Sequence, residues 1–350
     1  MLVAVSKETL LAAADARRQV RRITDKQAVL LVQAWVDAWD TLSPLFAEAV
    51  AELVAAGDTV PRAVVARNRK LVAAFEQTRA TLEGLTGDTN RIITNDIMDL
   101  LLDTVAHHEA VLTTQLPPAY RVQLALGAPS PEALTAIVNR TTQQIHSNTR
   151  PLTAITIRRM REQLVRGIVI GDNPMDVARK LMRATEGHFN GGLGRAMTIA
   201  RTEMLDAHRK GSQAAAEANT DILAGWVWMC TLDGKVCPSC IANHGTLHPV
   251  EEFGPIDHQN GRCARVDKTK TWKELGFDIE EPEDDIPDAK AWFDNLTDDS
   301  KLAIMGPTRL QMLNDGRIGW ADLTTKISAP NWRDSMHVTP VKDLLGSVAK

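Results

Sequence analysis

Apolar residues recur every three or four positions through most of the first 220 residues, and then, from about Gly225, at every second position. Leu31, Trp35, Trp39, Leu42 and Phe46 draw one stripe along 7–56. That spacing predicts long helix, because residues three and four apart share a helical face. Ser43-Pro44 reads as an N-cap and first-turn proline, so a break or kink is expected there, and Gly57-Asp58 is expected to end the segment. Further helices are predicted over 61–82 and through 92–112, where Ile93, Ile97, Leu100 and Leu101 keep the helical period. The proline-rich "LPPAYRVQLALGAPSP" marks a boundary. After Pro151, Ile157, Met160, Leu164 and Ile168 share a face. Gly171, Asp172 or Asn173, and Pro174 then read as stop, cap and restart. A helix over 195–218 follows. The glycines of "NGGLGR" (190–195) read as a flexible hinge, since the stretch lacks the Lys-Ser/Thr ending of a phosphate loop.

In "GWVWMCTLDGKVC", Trp226, Trp228 and Cys230 alternate with Val227 and Met229, which is strand periodicity, and Asp233-Gly234 supplies a hairpin-type turn. "DIEEPEDDIPD" (278–288) has little to bury and reads as a linker or surface loop. A last helical module covers 291–327, and from about Pro330 the tail has no period. The expected fold is mainly α, of α+β class. It has long N-terminal helices, a central helical core, a small β region resembling a zinc knuckle, and a C-terminal helical module. The sequence divisions are 1–127, 128–277 and 278–350.

With 350 residues and an aromatic fraction of 4%, the core must be mostly aliphatic, which suits helix-on-helix packing. The formal charge of -4 argues against a dedicated nucleic-acid binder. Two basic clusters, Arg17, Arg18, Arg21 and Arg22, and Arg158, Arg159 and Arg161, read as solvated helix faces. The opening residues do not read as a signal peptide and no run is apolar for long enough to span a bilayer, so a reducing cytoplasm is expected. Clustered cysteines in that setting more often hold metal than form disulfides.

The cluster is "CPSCIANHGTLHPVEEFGPIDHQNGRCARV" (237–266), with three of the four cysteines. The two-residue gap between Cys237 and Cys240 lets one tight turn aim two thiolates at a shared centre. His258 and Cys263 suit the return side, with His244 and His248 as alternatives. The competing readings are reduced cysteines held by ordinary packing, or a redox dithiol, which lacks its usual βαβ surroundings. Cys230 reads as a small buried hydrophobe, and Asp206 and His208 as solvated helix residues. The stripe at Trp35 and Trp39 reads as core or as a surface covered by a partner, and the latter is carried forward as the expectation.

"IARTEMLDAHRKGSQAA", the tryptophan strand, "DGKVCPSCIANHGTLHP" and "HQNGRCARV" together resemble the Mu F-type head morphogenesis family of tailed bacteriophages. Arg201, Thr202, Glu203, Cys237, Cys240, His258, Arg262 and Cys263 fall on the family pattern, while Gly261 stands where its first closing cysteine usually lies. The C-terminal module also resembles that of minor head proteins from actinobacterial and other Gram-positive-host phages. The resemblance implies a structural minor capsid protein with bound zinc, assembled in the host cytoplasm and located at the capsid interior or portal vertex. The implied partners are the portal and the major capsid or scaffold protein, with contact to packaged DNA and a role in its packaging or ejection. No catalysis is expected. Arg201-Thr202-Glu203 reads either as a surface pair or as a buried clamp between helix and knuckle. The alternative function is a metal-dependent endonuclease of the His-Asn-His type, suggested by "IDHQNG". A second CxxC is missing, and after Cys263 the next histidine is the distant His337.

Overall fold

The computed structural model describes residues 4–55, 60–121, 125–167, 174–329 and 332–348. The stripe along the first segment produces α1 (Lys7–Ala55), which runs on through Pro44. The break expected at Ser43-Pro44 does not occur. Leu42 and Phe46, on either side, are fully buried, and their packing outweighs the roughly 3 kcal/mol that an interior proline costs. Gly57-Asp58 lies outside the described residues. The helix predicted over 61–82 is two, α2 (Arg62–Arg67) and α3 (Arg69–Thr94). Asn68 separates them by leaving the helical region and accepting the Leu71 N–H at 2.9 Å, an N-cap. α4 (Ile97–Thr114) follows, then α5 (Pro131–Thr149), which the apolar period did not mark. α6 (Leu152–Gly167) buries Ile157, Met160 and Leu164, while Ile168 and the stop at 171–173 lie outside the described residues. α7 (Pro174–Glu217) begins at the expected proline but absorbs the predicted hinge at 190–195 into one continuous helix. Gly192 allows a close approach there. A Cβ would sit 3.1 Å from Thr156 Oγ1 and 3.4 Å from Leu152.

Two compact units emerge, 1–21 with 99–137 and 205–350, and 22–98 with 138–204. They cut across the sequence divisions at 127/128 and 277/278. The second unit is helical. Trp35 is buried, and Trp39 lies half-buried with its ring 5.3 Å from Phe189 and 6.3 Å from Phe46. Both tryptophans thus face the interior of their own unit, not a partner as expected, because Phe189 of α7 fills the space opposite the stripe. The large apolar residues of α1 that do reach solvent, Leu11, Val29, Leu30, Val32, Val36 and Leu45, lie off that stripe.

The first unit holds β1 (Leu223–Met229), α8 (Pro238–Asn243), β2 (Leu247–His248) and β3 (Ala264–Thr269). β1 is central in an antiparallel sheet ordered β2-β1-β3, with Trp226 opposite both His248 and Asp267. The two-residue period sends alternate side chains into different cores. Trp226, Trp228 and Cys230 join one cluster, and Val227 and Met229 join another with Ala13, Val111 and Val266. The turn at Asp233-Gly234 is present but makes no hairpin, since the chain enters α8 before returning as β2.

The C-terminal module comprises α9 (Ala289–Asp294), α10 (Asp298–Met305), α11 (Pro307–Asn314), a 3-10 turn (Trp320–Leu323), β4 (Thr324–Ala329), β5 (Trp332–Val338) and α12 (Val341–Val348). The helical period expected through 327 gives way to β4, and the extended tail expected from about Pro330 supplies β5, which pairs with it in a hairpin, and then α12. Phe293, Met305, Met312, Leu323 and Leu344 share one core with Trp226, Trp228, Cys240 and Cys263. The acidic stretch 278–288 is irregular but not idle. Asp284 and Asp285 accept the N–H groups of Val5 and Lys7 at 3.3 and 2.8 Å, and Asp288 caps α9.

The last turns of α7 face inward, so Asp206 and His208 are buried, not solvated as expected. Asp206 pairs with Lys210 and, at 3.0 Å, with Arg333. His208 Nδ1 lies 2.8 Å from Thr104 Oγ1, and burial holds its imidazole down to about 3. An unfolded chain takes up that proton near pH 6.5, so between those values the unfolded state binds more protons and stability falls with falling pH. The expected slope is up to about 1.4 kcal/mol per pH unit. Thermal melts of His208→Gln should show a shallower acid decline than wild type between pH 6.5 and 4. Parallel curves would disprove the assignment.

Candidate metal centre

Cys237 ends an extended stretch and caps α8, its sulfur accepting the Cys240 N–H at 3.4 Å, with Pro238 in the first turn. One helical turn then brings the Cys237 and Cys240 sulfurs to 3.3 Å. The return loop supplies the other side. His258 Nε2 lies 3.3 Å from Cys237 Sγ and 3.6 Å from Cys240 Sγ, and Cys263 Sγ lies 3.3 Å from Cys240 Sγ. Cys237, Cys240 and His258 form one group of donors within 4.8 Å of one another, and Cys240, Asp257 and Cys263 form a second. Cys240 is common to both. A tetrahedron with Zn–S bonds near 2.3 Å has edges of about 3.8 Å, so the observed spacings fall within about half an ångström of those that bind. His258 Nδ1 sits 2.9 Å from the Gln259 carbonyl, a contact that leaves Nε2 as the atom facing the sulfurs. Cys237, Cys240 and His258 in this arrangement can hold a metal ion, and Cys263 lies against Cys240 beside them.

The protonation pattern follows from the same contacts. Hydrogen bonding from Cys240, and then from His258, lowers Cys237 to about 5. The contact with Cys237 raises His258 to about 9. Cys240 is pushed up by its sulfur neighbours and by burial, and Cys263 by burial.

Asp257 organises the return loop. Its Oδ1 accepts the His258 N–H at 2.8 Å, and its Oδ2 accepts the Cys263 N–H at 3.0 Å and Arg209 at 3.3 Å. The same Arg209 nitrogen donates to the carbonyls of Gly261 and Cys263 at 3.2 and 2.9 Å. Gly261 leaves the carboxylate its room, because a Cβ at that position would lie 2.0 Å from Asp257 Oδ2. The aspartate thus occupies the space that a side chain at 261 would need. Arg262 makes two 2.6 Å bonds to Asp233, which bring that carboxyl down to about 2 and brace the loop before Cys237.

The alternative ligands are engaged elsewhere. His244 Nδ1 accepts the Cys230 N–H at 3.1 Å, and its Nε2 lies 3.0 Å from the Pro287 carbonyl. His248 stacks on Trp226 at 4.2 Å and contacts Glu252 and Thr246. Within the Arg201-Thr202-Glu203 motif, Thr202 and Glu203 are buried, and Glu203 accepts a hydrogen bond from Asn148 of α5 at 3.1 Å. The clamp into the knuckle comes from Arg209, six positions later. Sequence reading missed Arg209 and Asp257. The available hints were a charged residue amid the small ones of "DAHRKGSQAAAEA" and an aspartate beside the proposed ligand histidine. His337, far off in sequence, lies with its ring 6.2 Å from His258.

Residues 158–266 match the family described as phage Mu protein F like protein. This segment is Mu F-like. It covers just under a third of the chain, from within α6 to the start of β3, and contains all eight residues on which the resemblance rested. Neither the curated proteins nor the solved structures yield a match. In the Mu F-like segment, the departure at Gly261 has a physical counterpart in the Asp257 carboxylate beside it.

Gly261→Ala should therefore destabilise the protein by more than about 2 kcal/mol, since it displaces a buried, hydrogen-bonded charge. Gly191→Ala, where a Cβ meets nothing within 4 Å in mid-helix, should instead stabilise by about 0.5–1 kcal/mol. Denaturant unfolding checks both, and equal effects would refute the close fit at Gly261.

Proposed function

We propose that the protein is a non-enzymatic minor head protein of a tailed phage, built into the procapsid beside the portal. Its knuckle would be stapled by one zinc ion on Cys237, Cys240, His258 and Cys263. The observation that carries this reading is the Mu F-like segment with Cys237, Cys240 and His258 gathered at one point and Cys263 against Cys240 beside them. Bound zinc would supply a fixed tetrahedral cross-link between α8 and the return loop. Four protein donors leave no coordination position open for substrate water, which is the mark of a structural rather than a catalytic site. Asp257 and Arg209 would hold the loop that carries two of the donors. The proposed partners, suggested by the Mu F-like segment, are proteins of the head.

Beyond the "IDHQNG" stretch, His337 beside His258 favours the second reading, a His-Asn-His type nuclease. That histidine is within 2.9 Å of Ser335 and its pKa is lowered by burial.

Protein prepared without chelator should carry about one zinc per chain by elemental analysis, and supercoiled plasmid with magnesium, manganese or zinc should stay intact. Cys240→Ser should lose the metal and lower the melting temperature while most of the helicity remains. Metal-free protein would remove the staple, and nicking abolished by His258→Ala would establish the nuclease instead. Mass spectrometry of procapsids and virions should find the chain at low copy, and pull-down from infected cells should recover the portal. Its absence from both particles would end the assembly reading.

A further inference from the structure

The formal charge of -4 is unevenly spread. Residues 22–98 and 138–204 carry 19 Lys and Arg against 15 Asp and Glu, whereas the other unit carries 21 against 29. Within the basic unit an open groove of about 900 Å³ lies among α3, the end of α5, and α6. Arg79, Arg150, Arg158 and Arg161 line it, against two carboxylates, Glu83 and Glu162. None of the four arginines forms an ion pair among the described residues. Arg161 is steadied by stacking, its guanidinium 5.0 Å from the centre of the Phe75 ring. Between them the lining is polar, and Thr149 donates to Asn90 there at 2.7 Å.

Four guanidinium groups in one concavity repel one another, and an incoming anion relieves that repulsion. We propose that this groove binds the phosphodiester backbone of a nucleic acid without selecting its sequence. Guanidinium forks match phosphate oxygens in pairs, and hydroxyl and amide groups suit the same ligand. No Phe, Tyr or Trp lines the groove and His146 supplies its one ring, so a run of bases has no platform to stack on, and backbone contacts alone carry no sequence information. Arg159, adjacent in sequence to Arg158, lies outside the groove, so the basic cluster read from sequence as a solvated face is divided in two. The inference rests on the groove alone and stands or falls apart from the head-assembly reading.

Fluorescence anisotropy of the full chain with a labelled 30-base-pair duplex of arbitrary sequence tests it. Binding should weaken steeply with salt, with a log–log slope of about -3 to -4 if four phosphates are engaged. The triple variant Arg79→Ala/Arg150→Ala/Arg158→Ala should bind at least about tenfold more weakly at 50 mM salt, with a slope shallower by about one per arginine removed. Arg159→Ala should bind as wild type does. Ala154→Glu, which places a carboxylate on the exposed groove wall without removing a contact, should also weaken binding, and it decides the matter if circular dichroism shows the triple variant unfolded. A second duplex of unrelated sequence should bind equally. No binding at 50 mM salt, or full affinity in folded variants, would overturn the proposal. Competition by poly-glutamate as effective as by DNA would overturn it in favour of an acidic protein partner.

Discussion

Asp257 keeps a carboxylate almost wholly out of water, held by Arg209 and by the backbone N–H groups of His258 and Cys263. A buried charge of this kind costs several kcal/mol unless every lone pair finds a donor, and removing one partner typically costs about 3–5 kcal/mol. The loop from 257 to 263 therefore has little choice of shape. Its two metal-competent residues, His258 and Cys263, are placed by the N–H groups that the carboxylate accepts. The helix behind is tied in by the same arginine, whose nitrogen also meets two loop carbonyls. Gly261 follows from this constraint, since the carboxylate fills the volume where a Cβ would stand.

A three-stranded sheet with one strand of two residues is too small to bury both of its faces unaided. The chain solves this by covering each face with different material. Trp226 and Trp228 turn toward α8 and the C-terminal helices, and Val227 and Met229 toward residues of α1 and α4. The C-terminal module is thus part of the knuckle's core. The polar bonds from α8 agree, Ser239 meeting Thr324 at 2.7 Å and Asn243 reaching the same hydroxyl at 2.9 Å. The donor cluster sits at the rim of this core, with Cys240 and Cys263 buried and Cys237 and His258 only partly so.

Charge is organised on the same principle of local need. The acidic stretch at 278–288 answers the backbone N–H groups of Val5 and Lys7 at the start of α1 and the buried Lys268, and its last aspartate starts α9. The basic excess gathers in the other unit, where carboxylates are fewer in the groove of α3, α5 and α6. A single net charge for the chain averages over two units of opposite sign and so says little about what either one attracts.

Sequence by itself determined the elements whose signal is local. The stripe from Leu31 to Phe46, the alternation from Trp226 to Cys230, the restart at Pro174 and the two-residue gap of Cys237 and Cys240 each depend on neighbours a few residues away, and each reappears in the fold. The Mu F-like motif was legible for the same reason. Tertiary structure alone decided whatever depends on partners distant in the chain. Pro44 and the glycines at 190–195 stay helical because packing across the unit outweighs their local preference. Trp35 and Trp39 turn inward because Phe189 meets them. His258 rather than His244 or His248 joins the cysteines because the other two rings already have partners. Arg209 finds Asp257 across 48 residues, a pairing no periodicity encodes, since a buried charge is matched by position in space and not by spacing in sequence.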